Sequence, residues 1–349
     1  MIGNLNDYTT LLSNIRKNVQ PKIVGKRESD YMKLCNKRTT TERTTTDVGV
    51  TGIGMANIVS DGGISAFDAP VQGFTKIYTQ MQAQKNVALT YQTYFFLIKN
   101  GTTQDISSAV AKKLLDIEKS IEDMKDYMFQ SMLQNGFNTS FTFTPLNGGT
   151  PTVVSTTTAD ALEYWSQSHL IENGSGTFST VIVDGATNSP ILSMSAIEAA
   201  HRLQGLKTDG TGIALNTALD TVIVRRNSLA HQEAKRIKAD LDRGYYPATT
   251  PGTNGSFQEA ARVPSFSIID LMPFPTGSTG LSGLSWGMAD MKMKGDEYGF
   301  QYIEAMPTTI EEIPGQLNRD YVIGGDALFV FGASDVRPYM WSMGDGSTV

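Results

Sequence analysis

The sequence predicts an α+β protein, and three observations predict it. Apolar residues recur at helical spacing over residues 103–134, a helix–strand–helix pattern follows near the middle, and short strands separated by Gly/Pro turns fill the last quarter. A folded domain of this kind fits the composition. A hydrophobic fraction of 40% and a charged fraction of 18% exclude a chain that is mostly disordered.

Residues 1–40 are polar and basic with scattered apolar positions at Leu11, Leu12, Ile15 and Val19, and read as an arm with one short helix. The run Lys37 to Thr46 (KRTTTERTTT) favours extended backbone, because the β-branched threonine side chain restricts χ1. Residues 47–98 read as a long hairpin-like loop. Gly49, Gly52, Gly54 and the pair Gly62-Gly63 punctuate it, Asp61-Gly62 is a turn signal, and Val87, Leu89 and Tyr91 alternate with polar or small residues on the return. Two extended arms of this kind bury their own faces poorly, so the loop is expected to pack on a neighbour.

The clearest element covers 103–134, where Ile106, Val110, Leu114, Ile117, Ile121, Met124, Met128 and Met132 lie on one helical face. Thr102 and Asp105 have capping-box spacing, and Asn135-Gly136 stops the helix. Lys112, Asp116, Lys119 and Asp123 mix signs on the other face, which predicts an isolated amphipathic helix about 48 Å long. Beyond it, Phe141–Phe143 and Val181–Val183 read as short strands. A helix is expected at Ser195–Leu206 with Ser195 and Glu198 as its capping pair, then a strand at Thr221–Val224 and a helix at Ser228–Asp242. Strands are expected at Phe266–Asp270, Gly287–Lys292, Phe300–Ala305 and Ala327–Phe331.

Charge is unevenly distributed. Residues 1–43 hold nine Lys/Arg against four Asp/Glu, and the remainder holds 20 against 31. A basic arm on an acidic body predicts an arm that touches something negative, while the acidic body argues against a dedicated nucleic-acid reader. Met1 to Asp7 lack the pattern of a signal peptide, and the longest apolar run, Tyr94–Ile98, is far too short to span a membrane. The single cysteine, Cys35, cannot form an intrachain disulfide and is expected to be buried.

The search for chemistry is mostly negative. His169, His201 and His231 have no metal-ligand spacing to one another or to Cys35, and the two within predicted helices are expected at a surface or interface. Gly283-Leu284-Ser285-Trp286-Gly287 matches the nucleophile-elbow pattern. That motif needs a helix after the serine and a later histidine, and here strands follow and every histidine precedes. The glycines of Gly49–Gly54 lack dinucleotide-binding spacing. No catalytic residue, metal ligand or cofactor is predicted, and the chain is expected not to be an enzyme.

The order of elements, a basic arm, an extended loop, a long helix, a central α/β region and terminal strands, resembles the tailed-bacteriophage major capsid proteins of the HK-ninety-seven-type fold. Val50-Thr51-Gly52-Ile53-Gly54, Asp61-Gly62-Gly63-Ile64, Phe67-Asp68 and Gln72-Gly73 are similar to the E-loop of Mu-like head subunits. Ile223-Val224 leading into Leu229 and Ala234 is similar to the axial-domain strand–helix step. Asp335–Pro338 with Trp341-Ser342 looks like the last strands of the peripheral domain. The resemblance implies an N-arm at 1–43, an E-loop at 44–100, a peripheral domain with the spine helix at 101–165, an axial domain at 166–300, and peripheral-domain strands at 301–349.

Its functional implication is a head protein that assembles into an icosahedral shell around double-stranded DNA, with the virion capsid as its place and the bacterial cytoplasm as its site of assembly. Implied partners are other copies in hexamers and pentamers, a scaffold, a portal, a decoration protein and the packaged DNA, with no membrane and no cofactor. Expected assembly contacts are Arg16, Lys17, Lys22, Lys26 and Arg27 on the arm and Gly62, Gly63, Phe67, Phe74 and Tyr78 on the loop. An encapsulin-like nanocompartment shell, and a phage tail or adhesin protein, are the alternatives.

Overall fold

The computed structural model describes residues 29–50, 72–89, 103–146, 149–172, 176–184, 187–209, 211–215, 217–243, 245–246, 256–257, 264–274, 281–294, 298–313 and 321–346. In chain order the first elements are α1 (Asp30–Leu34), β1 (Cys35–Thr39), β2 (Thr44–Val50), β3 (Gln72–Thr79), β4 (Met81–Leu89) and α2 (Thr103–Gln134). The middle of the chain holds β5 (Ser140–Phe143), β6 (Thr152–Ser155), β7 (His169–Leu170), β8 (Thr177–Phe178), β9 (Val183–Asp184), β10 (Thr187–Asn188), α3 (Met194–Gln204), β11 (Thr221–Arg225) and α4 (Leu229–Asp242). After these come β12 (Tyr245–Tyr246), β13 (Ser256–Phe257), β14 (Ser267–Leu271), β15 (Trp286–Ala289), β16 (Phe300–Ile313), β17 (Tyr321–Ala333) and β18 (Tyr339–Ser342). The α+β class is as the sequence predicts.

One four-stranded sheet joins the two ends of the described chain, in the order β1-β16-β17-β4. β1 runs parallel to β16, while β16–β17 and β17–β4 are antiparallel. α2 packs across this sheet with Ile117, Ile121, Phe129 and Met132 buried. Each such side chain contributes about 1.5–3 kcal/mol by leaving water. Gly325 on β17 lies directly beneath Ile117, so a Cβ there would collide with the isoleucine and lift the helix off the strand.

The expectation of an isolated helix is corrected over its second half. Lys112, Asp116 and Lys119 are exposed, but every side chain from Lys125 to Leu133 is buried. Lys125 is accommodated because its ammonium donates to Glu122 Oε1 at 2.7 Å and Thr308 Oγ1 at 3.3 Å. The same ammonium lies 5.6 Å and 5.4 Å from the ring centres of Tyr302 and Phe329. Polar residues in this half mimic a solvent face, and only their partners show that it is interior.

Two further expectations are corrected by strand pairing. Residues 29–39 of the expected arm belong to the body: β1 pairs with β16, Cys35 lying opposite Phe300, and Tyr31 and Leu34 of α1 are buried. The return strand β4 does not complete the hairpin. It pairs with β17, placing Val87 opposite Ile323 within the same chain, and the hairpin is closed instead by β2 and β3. Tyr91 and the Asp61-Gly62 turn lie outside the described residues.

The second four-stranded sheet has the order β14-β11-β15-β18. Val222, Ile223 and Val224 of β11 are fully buried, as a strand between covered faces requires. α3 and α4 are capped by Ser193, whose side chain accepts from Ala196 N, and Ser228, which accepts from His231 N. The cap of α3 is thus two residues earlier than the expected Ser195. His231 is buried, and its Nδ1 accepts from Asn227 N. β18 is a correction too: Trp341 and Ser342 pair with Gly287 and Trp286 in this sheet, not with the strands at 300–333.

The same pairing explains the nucleophile-elbow match. Ser285 is fully buried, its Oγ accepting from Trp341 Nε1 at 2.9 Å and donating to Ser342 O at 3.2 Å. Gly287 is glycine because the Trp341 ring lies on its Cα, where a Cβ would overlap ring carbons. Gly287→Ala is therefore expected to destabilise the chain by about 1–3 kcal/mol through overpacking. The check is the denaturant midpoint, and an unchanged midpoint would show that the indole is free to move aside.

Two short hairpins, β5–β6 and β7–β8, and the pairs β9–β10 and β12–β13 complete the described sheets.

Candidate functional site

The β2–β3 ribbon has two chemically different faces. Antiparallel pairing sets Thr46 opposite Ile77 and Val48 opposite Thr75, which puts Thr44, Thr46, Val48, Thr75, Ile77 and Thr79 on one side. All of these are exposed, Val48 by 49% and Ile77 by 60%. The face is uncharged and almost entirely β-branched. Within sheets such faces are covered, because burial of these stiff side chains costs little rotamer freedom.

The inward face is anchored to the body by polar groups. Tyr78 is buried, and its hydroxyl donates at 2.7 Å to Ser334 Oγ, which donates in turn to Asp47 Oδ2 at 3.3 Å. Arg38 Nη1 reaches both oxygens of Asp47, at 2.7 Å and 2.8 Å, and so ties β1 to β2. Lys76 Nζ donates to the carbonyl and hydroxyl of Thr157 at 2.6 Å and 2.8 Å. Burial pushes the Lys76 pKa down to about 8, with the Asp160 carboxylate opposing the shift. Gly49 and Gly73 flank the Glu172 carboxylate, and a Cβ on either would strike its Oε1.

A polar cavity of about 890 Å³ lies beneath the ribbon, lined by Arg38, Asp47, Asp160, His169, Asp335 and Arg337 among others. His169 Nδ1 is 3.0 Å from Asp160 Oδ2 and its Nε2 is 3.1 Å from Tyr164 O. Both ring nitrogens face oxygen acceptors, so neither is left to serve as a base. The ring stacks on Phe178 at 5.1 Å, and the Arg337 guanidinium lies 5.0 Å from that same phenyl ring. Ser285, the serine of the elbow-like motif, is elsewhere and enclosed. Among the described residues no group of three or more His, Cys, Asp or Glu side chains is placed to hold a metal ion. Asp47, Asp160 and His169 in its wall are engaged by Arg38, by each other and by backbone groups, and these contacts secure the ribbon.

Asp160 makes that commitment titratable. Burial alone would push its carboxyl up, but hydrogen bonds from His169, Thr158 and the Leu170 backbone, with the charge of His169, bring it from 3.8 to about 2. A carboxyl depressed in the folded state stabilises it fully above the unfolded value. The contribution is lost as pH falls from about 4 to about 2, and amounts to roughly 2 kcal/mol. Asp160→Asn should remove that part of the acid sensitivity, read as stability against pH between 2 and 5. A parallel pH dependence in the variant would show that the carboxylate is not what the fold relies on there.

The expected assembly residues divide unevenly. Arg16, Lys17, Lys22, Lys26, Arg27, Gly62, Gly63 and Phe67 lie outside the described residues. Phe74 is half-buried and borders the cavity. Tyr78 is held inside its own subunit against Gly332, where a tyrosine ring needs a position without a Cβ. Val48 and Ile77 were not singled out from the sequence. The alternation from Thr44 to Val48 was the available signal, but it does not say which alternate set faces outward.

No family model matches the chain, and no curated protein matches it. Several solved structures are similar in fold. The capsid of an empty GTA particle shares 10% identity over 90% of this chain and 90% of that one, with a TM-score of 0.43. A structure from Gordonia phage Cozz shares 11% identity over 90% of this chain and 85% of that one, with a TM-score of 0.46. A virus-like particle from Pyrococcus furiosus shares 7% identity over 95% of this chain and 98% of that one, with a TM-score of 0.43.

Proposed function

We propose that this chain is a shell-building subunit, the major capsid protein of a tailed bacteriophage, which assembles with copies of itself around double-stranded DNA. The observation that carries the reading is the β2–β3 ribbon. Its inner face is bolted to the subunit by Tyr78, Asp47 and Lys76, while its outer face presents uncharged β-branched side chains that no described part of the same subunit covers. A two-stranded ribbon is marginal on its own, and a neighbouring copy supplies the missing cover. Closed symmetry then multiplies modest contacts into a stable shell. The order of elements along the chain and its resemblance to head subunits support the same reading. In this reading hexamers and pentamers form in the bacterial cytoplasm with the help of a scaffold and a portal, and a decoration protein binds the finished shell.

The function is tested by expressing the chain with a scaffold and examining the product by negative-stain microscopy and light scattering. Closed particles of megadalton mass are expected, and a species that stays monomeric under every assembly condition would overturn the proposal. Particles that retain a protein cargo and exclude DNA would assign the chain to a nanocompartment. The ribbon is tested by the double variant Val48→Lys/Ile77→Lys. Two uncompensated charges in a covered face cost several kcal/mol, so particle yield should drop by roughly tenfold while thermal unfolding of the free subunit is unchanged. Equal yield would make the outer face ordinary surface.

A further inference from the structure

The cavity beneath the ribbon is edged by two strands. Cys35, Asn36, Lys37 and Arg38 of β1 border it, and so do Thr46, Asp47, Val48 and Gly49 of β2. Alternate side chains of a strand point to opposite faces, so four consecutive residues share one cavity through the strand's edge. Lys37 illustrates this: its Nζ goes to Glu304 Oε2 at 2.6 Å and lies 5.9 Å from the Tyr302 ring, neither of which borders the cavity. Among the described residues β1 pairs only with β16, and β2 only with β3. Each cavity-side edge therefore has no strand beside it, and such an edge is a template for an added one.

Two buried polar groups say what the cavity takes. Arg337 is 2% exposed, with its guanidinium 5.0 Å and 5.8 Å from the ring centres of Phe178 and Tyr298. Its Nε lies 3.1 Å from Asp335 Oδ2 but is not aligned for a hydrogen bond, and has no partner among the described residues. Gln301 lies opposite Asn36, is 3% exposed, and has an Oε1 likewise without a partner. A donor and an acceptor left bare inside a protein cost stability until a bound group completes them. A peptide group carries both complements, a carbonyl for the arginine and an N–H for the glutamine.

Charge narrows the occupant. Among the described residues of the wall, five carboxylates outnumber three cationic side chains, which repels a free anion and favours basic side chains. No described strand of this chain carries Lys or Arg at alternate positions, so the body of a second copy does not supply such a segment.

We propose that the cavity receives an extended basic segment of a separate protein, added as a strand along the β1 edge, with its main-chain groups completing Arg337 and Gln301. This does not depend on the shell reading.

The probe is a labelled, end-capped short peptide of alternating Lys and Val, titrated into the full chain by fluorescence polarisation. Saturable binding is expected, and its absence would overturn the proposal. Two further versions are N-methylated, one at each alternate set of residues, which keeps the charge and removes the N–H groups of one edge. At least one should bind roughly tenfold more weakly. Equal binding by all three would mean attraction to an acidic surface alone and would overturn strand addition. A matching Glu/Val peptide should also bind roughly tenfold more weakly, and equal binding would overturn the basic occupant. Arg337→Gln should weaken the Lys/Val peptide several-fold, and full binding by this variant would overturn the role of Arg337. If thermal unfolding shows the variant to be unfolded, the N-methylated pair, which leaves the protein untouched, decides. Self-association of the chain that the peptide reverses would assign the cavity to a second copy and overturn the separate partner.

Discussion

Trp165 is the point on which the two halves of the subunit depend. Its indole stacks on Trp341 of β18 at 5.1 Å and 10°, and meets Phe300 of β16 edge-on at 6.0 Å. Its N–H donates to Leu133 O at 2.7 Å, near the end of α2. One fully buried side chain therefore touches the long helix, the sheet made from the chain's ends, and the central sheet. Gly136 accepts the ring against its own Cα, where any Cβ would meet the indole. A large ring with one polar edge suits such a junction, since it fills volume and satisfies an otherwise orphaned carbonyl at a helix end.

From this junction the rest follows as a division of labour. The aromatic cluster around Phe129, Phe300, Phe331 and Tyr339 makes the first sheet and α2 a single packed unit. Phe300 and Tyr339 sit 5.0 Å apart, and Tyr339 Oη donates to Leu34 O, so even the first described segment is fastened to the second sheet. The β2–β3 ribbon stands on this unit through side-chain hydrogen bonds at its base. Its inner contacts are polar and directional, which fixes its angle, while no described part of the subunit covers its outer face.

The buried charges belong to this architecture. Lys207 donates to the carbonyls of Arg337 and Tyr339 at 2.8 Å and 3.0 Å, and burial pushes its pKa down to about 7. Arg337 pairs with Asp335 at 3.1 Å, while the bonds of Asp160 to His169 and the Leu170 backbone hold the loop below the ribbon. Such groups cost desolvation and repay it only when every partner is in place, which makes them poor sources of stability and good determinants of a unique connection. Lys207 stands at a crossing between segments distant in sequence, where apolar packing alone leaves the angle free, whereas the Arg337 and Asp160 pairs fix local loops.

The sequence by itself determined what depends on near neighbours. The sustained spacing from Ile106 to Met132 placed α2 at 103–134, Ser228 announced the start of α4, and Thr221–Val224 announced β11. Each rests on contacts within a few residues, where period and capping chemistry are read directly. Only the tertiary structure decided which strand lies beside which. Alternation at Val87 said that one face is buried, and said nothing of Ile323 as its partner. Tyr78 was expected at an assembly contact until Gly332 offered it a place inside, and Lys125, on which the apolar spacing is silent, is covered by Tyr302 and Phe329. Strand partners and the cover of a polar side chain are chosen by residues hundreds of positions away, through burial that no local pattern encodes.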